Sequence, residues 1–104
     1  MKLNHTPGPW MLINNIHYGW KTNPYSVCVK KRGVHGVAVA NIPAKATVSP
    51  EEAKANAALI AAAPELLACL LTMPQSMAST DQEWWDWVDT VNEVLHKATD
   101  GAWK

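Results

Sequence analysis

Hydrophobic and polar positions alternate in the first half of this chain and recur with helical spacing in the second half. The clearest alternation, Tyr-Ser-Val-Cys-Val-Lys at positions 25–30, predicts a half-buried strand, because successive side chains of a strand point to opposite faces. Shorter apolar runs predict strands at 10–13 and 16–20, and the run 34–42, which is apolar on both faces, predicts a central strand. Residues 1–48 are therefore predicted to form an antiparallel meander of about four strands.

The stretch 49–74 is the most apolar part of the chain, and it begins with a helix-start signal. Ser49 suits the N-cap, because its hydroxyl accepts a hydrogen bond from a backbone N–H that lacks a helical partner. Pro50 suits the first helical position, and Glu52 completes a capping box. The pattern predicts a helix with a narrow stripe of alanines, which allows it to lie close to a sheet.

Pro64 interrupts this helical pattern. Proline lacks an N–H and disfavours helical angles at the residue before it, so we expect a break at Ala63 and a second helix over 65–72. A membrane span needs about 20 predominantly apolar residues. The apolar run 57–73 is shorter and holds Glu65 near its middle. The sequence therefore predicts a pair of core helices broken at Pro64 and no contact with a membrane.

Residues 79–100 predict a third helix, which is amphipathic and rich in tryptophan. Thr80 and Glu83 form a second capping box. Gly101 suits the position just past the helix end. Apolar residues follow the cap at spacings of four, three, four and three, namely at Trp84, Val88, Val91, Leu95 and Ala98.

These elements predict a single α+β domain over residues 1–104, in which the N-terminal meander is followed by two to three helices packed on one face. Cys28 and Cys69 are predicted to be free, buried thiols. No apolar leader follows Lys2, so we expect a cytoplasmic protein. The histidines lack metal-ligand spacing and no nucleotide-loop motif is present. The sequence therefore predicts no metal, no cofactor and no catalytic residue, and favours a protein that is not an enzyme.

A net charge of zero conceals a sharp division of charge along the chain. Residues 1–50 hold six Lys or Arg and no Asp or Glu, whereas residues 51–104 hold nine Asp or Glu against three Lys. Such asymmetry bears on partners and not on the fold. The basic half can hold an anion, and the acidic half can mimic an anion or meet the basic half of a second copy.

A basic turn is the first candidate site. Lys30, Lys31 and Arg32, with His35 nearby, have the groups that make charge-assisted hydrogen bonds to phosphate. The alternative is a solvated hairpin turn. Asn56, beside the alanine stripe, either reads the edge of a nucleobase or caps a neighbouring backbone group, and the structural role is favoured.

Three tryptophans in the third helix form the second candidate site. Tryptophan is enriched in the cores of protein interfaces, and Trp85 is the informative residue because it lies off the predicted buried stripe. Two interpretations of Trp85 are open: partial burial under the edge of the sheet, or contact with a partner or a second copy. Trp84 is predicted to be a core residue. A partner surface here would comprise Trp84, Trp85, Trp87, Asp86, Asp89 and Glu93.

Two stretches of this sequence resemble a known set of proteins. His5 to Trp10, with the letters HTPGPW, and Asn56 to Leu67, with the letters NAALIAAAPELL, are similar to the TPGPW and NAxLIAAAPELL signatures of small tailed-phage and prophage proteins. The early accessory proteins of lambdoid phages are similar at the same two places. The resemblance covers roughly the first seventy residues and departs at the tryptophan-rich helix. It implies a phage accessory role without a defined reaction.

The resemblance favours a counter-defence function, for which two hypotheses remain open. By analogy with phage proteins that sequester nucleotide immune signals, the chain would be a homo-oligomer that binds a small anionic nucleotide, with Lys30, Lys31 and Arg32 on phosphates and Trp10, Trp20 or Tyr25 stacked on the base. The other hypothesis is an inhibitor of a host defence protein, of the anti-CRISPR or anti-restriction type. Asp86, Asp89 and Glu93 would then imitate phosphates and Trp85 would anchor the contact. Direct binding of nucleic acid is disfavoured, because the acidic half repels it.

Overall fold

The computed structural model of the chain describes residues 3–15, 24–31, 34–44, 48–74 and 81–103. The predicted α+β arrangement is confirmed: a three-stranded antiparallel sheet precedes three helices. The elements are β1 Met11–Asn14, β2 Tyr25–Lys31, β3 Val34–Ile42, α1 Pro50–Ala61, α2 Ala63–Leu71 and α3 Asp81–Ala98.

The strands follow the order β1-β2-β3, so β2 occupies the middle of the sheet. The predicted strand at 16–20 lies outside the described residues, and β1 pairs with the edge of β2 that this strand would have used. The prediction that 34–42 is the central strand is therefore wrong. The strand β2 is buried on both faces, from Tyr25 to Val29, whereas Val37 in β3 is exposed.

The pairing of β2 with β3 is irregular. Val27 pairs with Ala40 and Cys28 with Ala38, which leaves Val39 as an extra residue, and a second irregularity lies between Val29 and Lys31. Such bulges disturb the free edge of a strand and make it a poor template for pairing with another chain. The edges of the described sheet are thus a short β1 and a bulged β3.

Helix α1 begins as predicted. Ser49 is the N-cap, and its Oγ accepts a hydrogen bond of 3.1 Å from the backbone N–H of Glu52. The face that packs on the sheet consists of alanines. Because they are small, the helix backbone lies close to the strands, and the core cluster consists of Tyr25, Val27, Ile42, Ala53, Ala57 and Ala61.

The break between α1 and α2 falls on Ala62, one residue before its predicted position. Ala63 is helical, and Pro64 lies in the first turn of α2, where its missing N–H costs nothing. The two helices are bent by 41°. Among the described residues no single helix is long and apolar enough to cross a membrane, and α1 with α2 reaches that length and composition only as a bent pair.

Helix α3 packs on α1 and α2 through most of the predicted stripe, with Trp84 as the exception. Val94 and Ala98 are its buried residues, and Val88, Val91 and Leu95 of the stripe are half-buried, as is Trp87. Trp84, predicted to be a core residue, is 44% exposed. The contacting face is therefore rotated toward Trp87 and Val94, because the N-terminal half of α3 packs on the short α2 and its C-terminal half on α1.

The chain reverses direction after α3. The backbone N–H of Gly101 donates to the carbonyl of His96 at 2.8 Å, and that of Asp100 donates to the carbonyl of Lys97 at 3.2 Å, which together form a Schellman motif. Asp100, with φ of 53°, and Gly101, with φ of 84°, both adopt left-handed angles. Asp100 thus takes the position just past the helix end that Gly101 was predicted to occupy.

The two stretches that carry the phage resemblance meet in space. A Cβ added at Gly8 would lie 2.9 Å from Cβ of Pro64, so the N-terminal segment packs directly on the start of α2. Lys97 of α3 closes this junction: its Nζ donates to Oε1 of Glu65 at 2.8 Å and to the carbonyl of Trp10 at 3.2 Å. We call these contacts the Lys97 junction. Both signature stretches therefore have a structural role.

Replacing Gly8 by alanine is expected to destabilise the protein by about 1–3 kcal/mol, because the added methyl overlaps Pro64 and the backbone must move apart. Urea unfolding of the variant measures this loss. The same substitution in a P64G background is the control, since Cβ and Cγ of Pro64, the two overlapping atoms, are both absent there. An equal loss in both backgrounds would contradict the packing described.

Candidate functional site

Of the predicted nucleotide-binding residues, Trp10, Tyr25 and Asn56 have side chains that the structure describes. Tyr25 is 8% exposed and belongs to the core, so its ring does not face solvent. Trp10 is half-buried against the same core, and its Nε1 donates to the carbonyl of Thr6 at 3.0 Å. Asn56 lies on the exposed side of α1. Of the others, Lys30 and Lys31 end β2 and His35 lies in β3, while Trp20 and Arg32 lie outside the described residues.

A cleft of about 560 Å³ opens beside Trp10. Its walls come from the start of β1, from Ala58 and Ala61 of α1, and from the end of α3, where His96 and Lys97 supply polar groups. The ammonium of Lys97 is already paired with Glu65. The cleft is thus largely apolar, with one polar wall.

The solvent face of α3 carries the second candidate site. Trp85 is 60% exposed, and three exposed carboxylates, Asp86, Asp89 and Glu93, follow it. At 100° per residue, these carboxylates lie within an arc of about 60° beside the tryptophan. We call this surface the Trp85 face. It combines an exposed aromatic ring with a row of negative charge.

The negative charge of this face is not neutralised within the described chain. Between positions 81 and 96, α3 has five Asp or Glu and no Lys or Arg. The two salt bridges of the described residues join Lys54 to Asp100 and Lys97 to Glu65, both at the C-terminal end of α3, and neither includes Asp86, Asp89 or Glu93. Asp86 accepts a hydrogen bond of 2.8 Å from Gln82, a neutral partner. The carboxylates are therefore available to a cation from outside.

Trp84 and Trp87 do not belong to the Trp85 face. The Nε1 of Trp87 donates to the carbonyl of Cys69 in α2 at 2.9 Å, which fixes α3 against α2. The rings of Trp84 and Trp87 lie 5.3 Å apart. Of the three predicted interface tryptophans, Trp87 is therefore a packing residue and Trp85 is the one that projects into solvent.

Sequence reasoning missed Trp103. The chain reversal at Asp100 and Gly101 returns this residue to α3, where its Nε1 donates to Oδ1 of Asn92 at 3.2 Å. The ring is 45% exposed and, with Asn92, Glu93 and His96, lines a shallow recess of about 350 Å³. A glycine just past a helix, with a tryptophan two residues later, was the available signal.

Two buried cysteines lie outside both candidate sites. Burial raises the pKa of the Cys28 thiol, and burial together with the negative charge of Glu65 raises the pKa of the Cys69 thiol. Both cysteines are free and buried, as predicted, and both are protonated at neutral pH. No group of three His, Cys, Asp or Glu in the described ranges is arranged to hold a metal ion.

Comparisons with known proteins give a family and no solved fold. No curated protein and no solved structure matches the chain. A family model, that of Salmonella phage P22 protein Y8K6, matches residues 1–102 of the 104. The match covers the sheet, all three helices and most of the C-terminal tail. The chain therefore belongs to the phage family of Salmonella phage P22 protein Y8K6.

Proposed function

We propose that this phage protein acts by binding another protein, and that the Trp85 face is the contact surface. The observation that carries the proposal is an exposed tryptophan beside carboxylates that have no basic partner in the described chain. Exposed tryptophans are the most frequent energetic centres of protein interfaces. The irregular sheet edges favour this surface further, because they are poor sites for strand addition.

The partner has a positively charged surface, of the kind that binds nucleic acid. Asp86, Asp89 and Glu93 follow one another by about 4.5 and 6 Å along the helix axis. Phosphates of one DNA strand follow one another by about 3.4 Å along its axis, so the carboxylates form a row of the same charge sign with a wider spacing. By occupying such a surface the protein blocks a host defence protein, without catalysing a reaction.

Reversing the charge of the Trp85 face tests this proposal. We expect D89K/E93K to weaken partner binding by at least about 100-fold, because like charges then oppose one another across the contact. Immobilised wild-type protein is used to capture the partner from a lysate of the bacterial host, mass spectrometry identifies it, and calorimetry with the purified partner gives the affinities.

The control is E51K/E52K, which changes the net charge by the same amount at exposed positions of α1. The negative charges of Glu51 and Glu52 stabilise the N-terminus of α1 through the helix dipole. E51K/E52K is therefore expected to be about 1 kcal/mol less stable than wild type, and its folding is checked separately. Equal affinities for wild type and D89K/E93K would contradict the proposal.

A second proposal, sequestration of a small nucleotide by a homo-oligomer, is favoured by the cleft beside Trp10. A cleft of about 560 Å³ has the size of a small-molecule site, and Trp10, His96 and Lys97 line it. The radius of gyration of 16.2 Å exceeds the about 13 Å of a compact chain of this length, which is consistent with a protomer that packs on copies of itself.

Native mass spectrometry of the protein purified from bacterial cells tests this second proposal. Sequestration predicts an oligomer that carries a few hundred daltons of bound ligand. The instrument reports subunit number and ligand mass together. A bare monomer would contradict it and leave the Trp85 face as the functional surface.

A further inference from the structure

We infer that Trp103 is a second anchor on the interaction surface of α3, and that the partner places a basic segment along the carboxylates beside the two exposed rings. This inference rests on the proposed function and extends it, because it assigns a role to a residue outside the helix. It also specifies the chemistry of the partner along the face. The inference is carried by the position, exposure and hydrogen bonds of Trp103.

Trp85 and Trp103 lie on the same side of α3. Asn92, which accepts the hydrogen bond from the indole of Trp103, is seven residues after Trp85. Seven residues are two helical turns, so the two rings stand about 10 Å apart along the axis with nearly the same direction. Asp89 falls one turn after Trp85, and Glu93 lines the recess beside Trp103. Asp89 therefore lies between the two rings along the axis, and Glu93 lies beside the ring of Trp103.

Trp103 is held in place rather than free in solvent. Its backbone N–H donates to Oγ1 of Thr99 at 2.9 Å, and its Nε1 donates to Oδ1 of Asn92 at 3.2 Å. Its carbonyl lies 2.8 Å from Nδ1 of His96, and because a carbonyl only accepts, His96 donates there. These bonds fix an exposed ring before a partner arrives, which lowers the entropy lost on binding.

Charge complementarity selects the occupant of this surface. A second copy of the chain would oppose one acidic helix face to another, which is repulsive. A partner segment with Lys or Arg opposite Asp89 and Glu93, and an apolar side chain opposite each ring, satisfies all four groups at once. Seven residues of a helix span about 10 Å and return to the same face, so a helical partner segment with apolar residues at i and i+7 and basic residues at i+3 and i+4 fits this spacing.

The test uses two alanine-rich helical peptides immobilised for surface plasmon resonance. One has Leu at positions i and i+7 and Lys at i+3 and i+4, and the other has alanine in place of both leucines. We expect wild-type protein to bind the leucine peptide about 5–10-fold more tightly, and expect W103A and W85A each to lose this preference. N92A, which keeps the ring but removes the bond that orients it, is expected to lose part of the preference.

The outcomes separate this inference from the function on which it rests. If W103A keeps the full leucine preference while W85A and D89K/E93K lose binding, Trp103 is not an anchor and the Trp85 face stands. If D89K/E93K binds both peptides as wild type does, or if wild type binds neither peptide, both proposals fail. Circular dichroism of each variant confirms that the fold is retained, since Trp103 lies beyond the helices.

Discussion

Replacing Lys97 by methionine is expected to lower the free energy of unfolding by about 2–3 kcal/mol. The ammonium holds Oε1 of Glu65 at 2.8 Å and the carbonyl of Trp10 at 3.2 Å. The other oxygen of Glu65, Oε2, is closed to solvent and has no hydrogen-bond partner among the described residues. Removing Lys97 thus leaves a carboxylate without its cation. Breaking a fully buried pair costs about 3–5 kcal/mol, and partial exposure of this pair reduces that figure.

A second ion pair of the protein supplies the control for this effect. Lys54 and Asp100 lie 3.3 Å apart with side chains 48% and 42% exposed, so K54M is expected to cost less than about 1 kcal/mol. Urea unfolding of both variants gives the comparison. The double variant E65Q/K97M also removes the unpaired carboxylate of Glu65, so it is expected to recover part of the stability lost in K97M. Equal stabilities for K97M and K54M would show that Lys97 does not hold the junction.

Replacing Trp85 by alanine is expected to weaken partner binding by about 30–100-fold, which corresponds to about 2–3 kcal/mol. The ring is 60% exposed, so its removal takes little from the core and the melting temperature should change by no more than a few degrees. The affinity is measured by calorimetry with the purified partner.

Trp84 provides a matched control for this substitution, since it is the adjacent residue, of the same type, and 44% exposed. Consecutive helical residues point about 100° apart, so Trp84 stands on a different side of α3, beside Trp87. We expect W84A to keep the affinity of wild type. If W84A weakens binding and W85A does not, the contact surface lies on the α2 side of the helix.

Much of the fold follows from local rules that the sequence displays directly. The cap at Ser49 and the break near Pro64 depend on nearby residues, and the structure has each of them within one residue. The alternation at 25–30 predicted the strand β2 correctly, but the prediction that it is half-buried is wrong, because both of its faces are covered. The exposure of Trp85 was also predictable, because it depends on helical periodicity within one element.

The remaining features depend on contacts between distant segments. Which strand is central depends on how β1 pairs. The pattern of apolar residues within 34–42 does not depend on that pairing and therefore did not predict it. The exposure of Trp84 depends on the length of α2, which ends before it can cover the first turn of α3. The position of Trp103 depends on a chain reversal whose left-handed residue is Asp100, a residue type that rarely signals such a turn.

The measurement that tests the central claim most directly is nuclear magnetic resonance of the isotopically labelled protein during titration with its purified partner. Each of the six tryptophans gives a separate indole N–H signal. The account predicts that the signal of Trp85 shifts or broadens first, with that of Trp103, while those of Trp10 and Trp87, bonded to backbone carbonyls, stay in place. A change confined to Trp10 would contradict the account and place binding in the cleft.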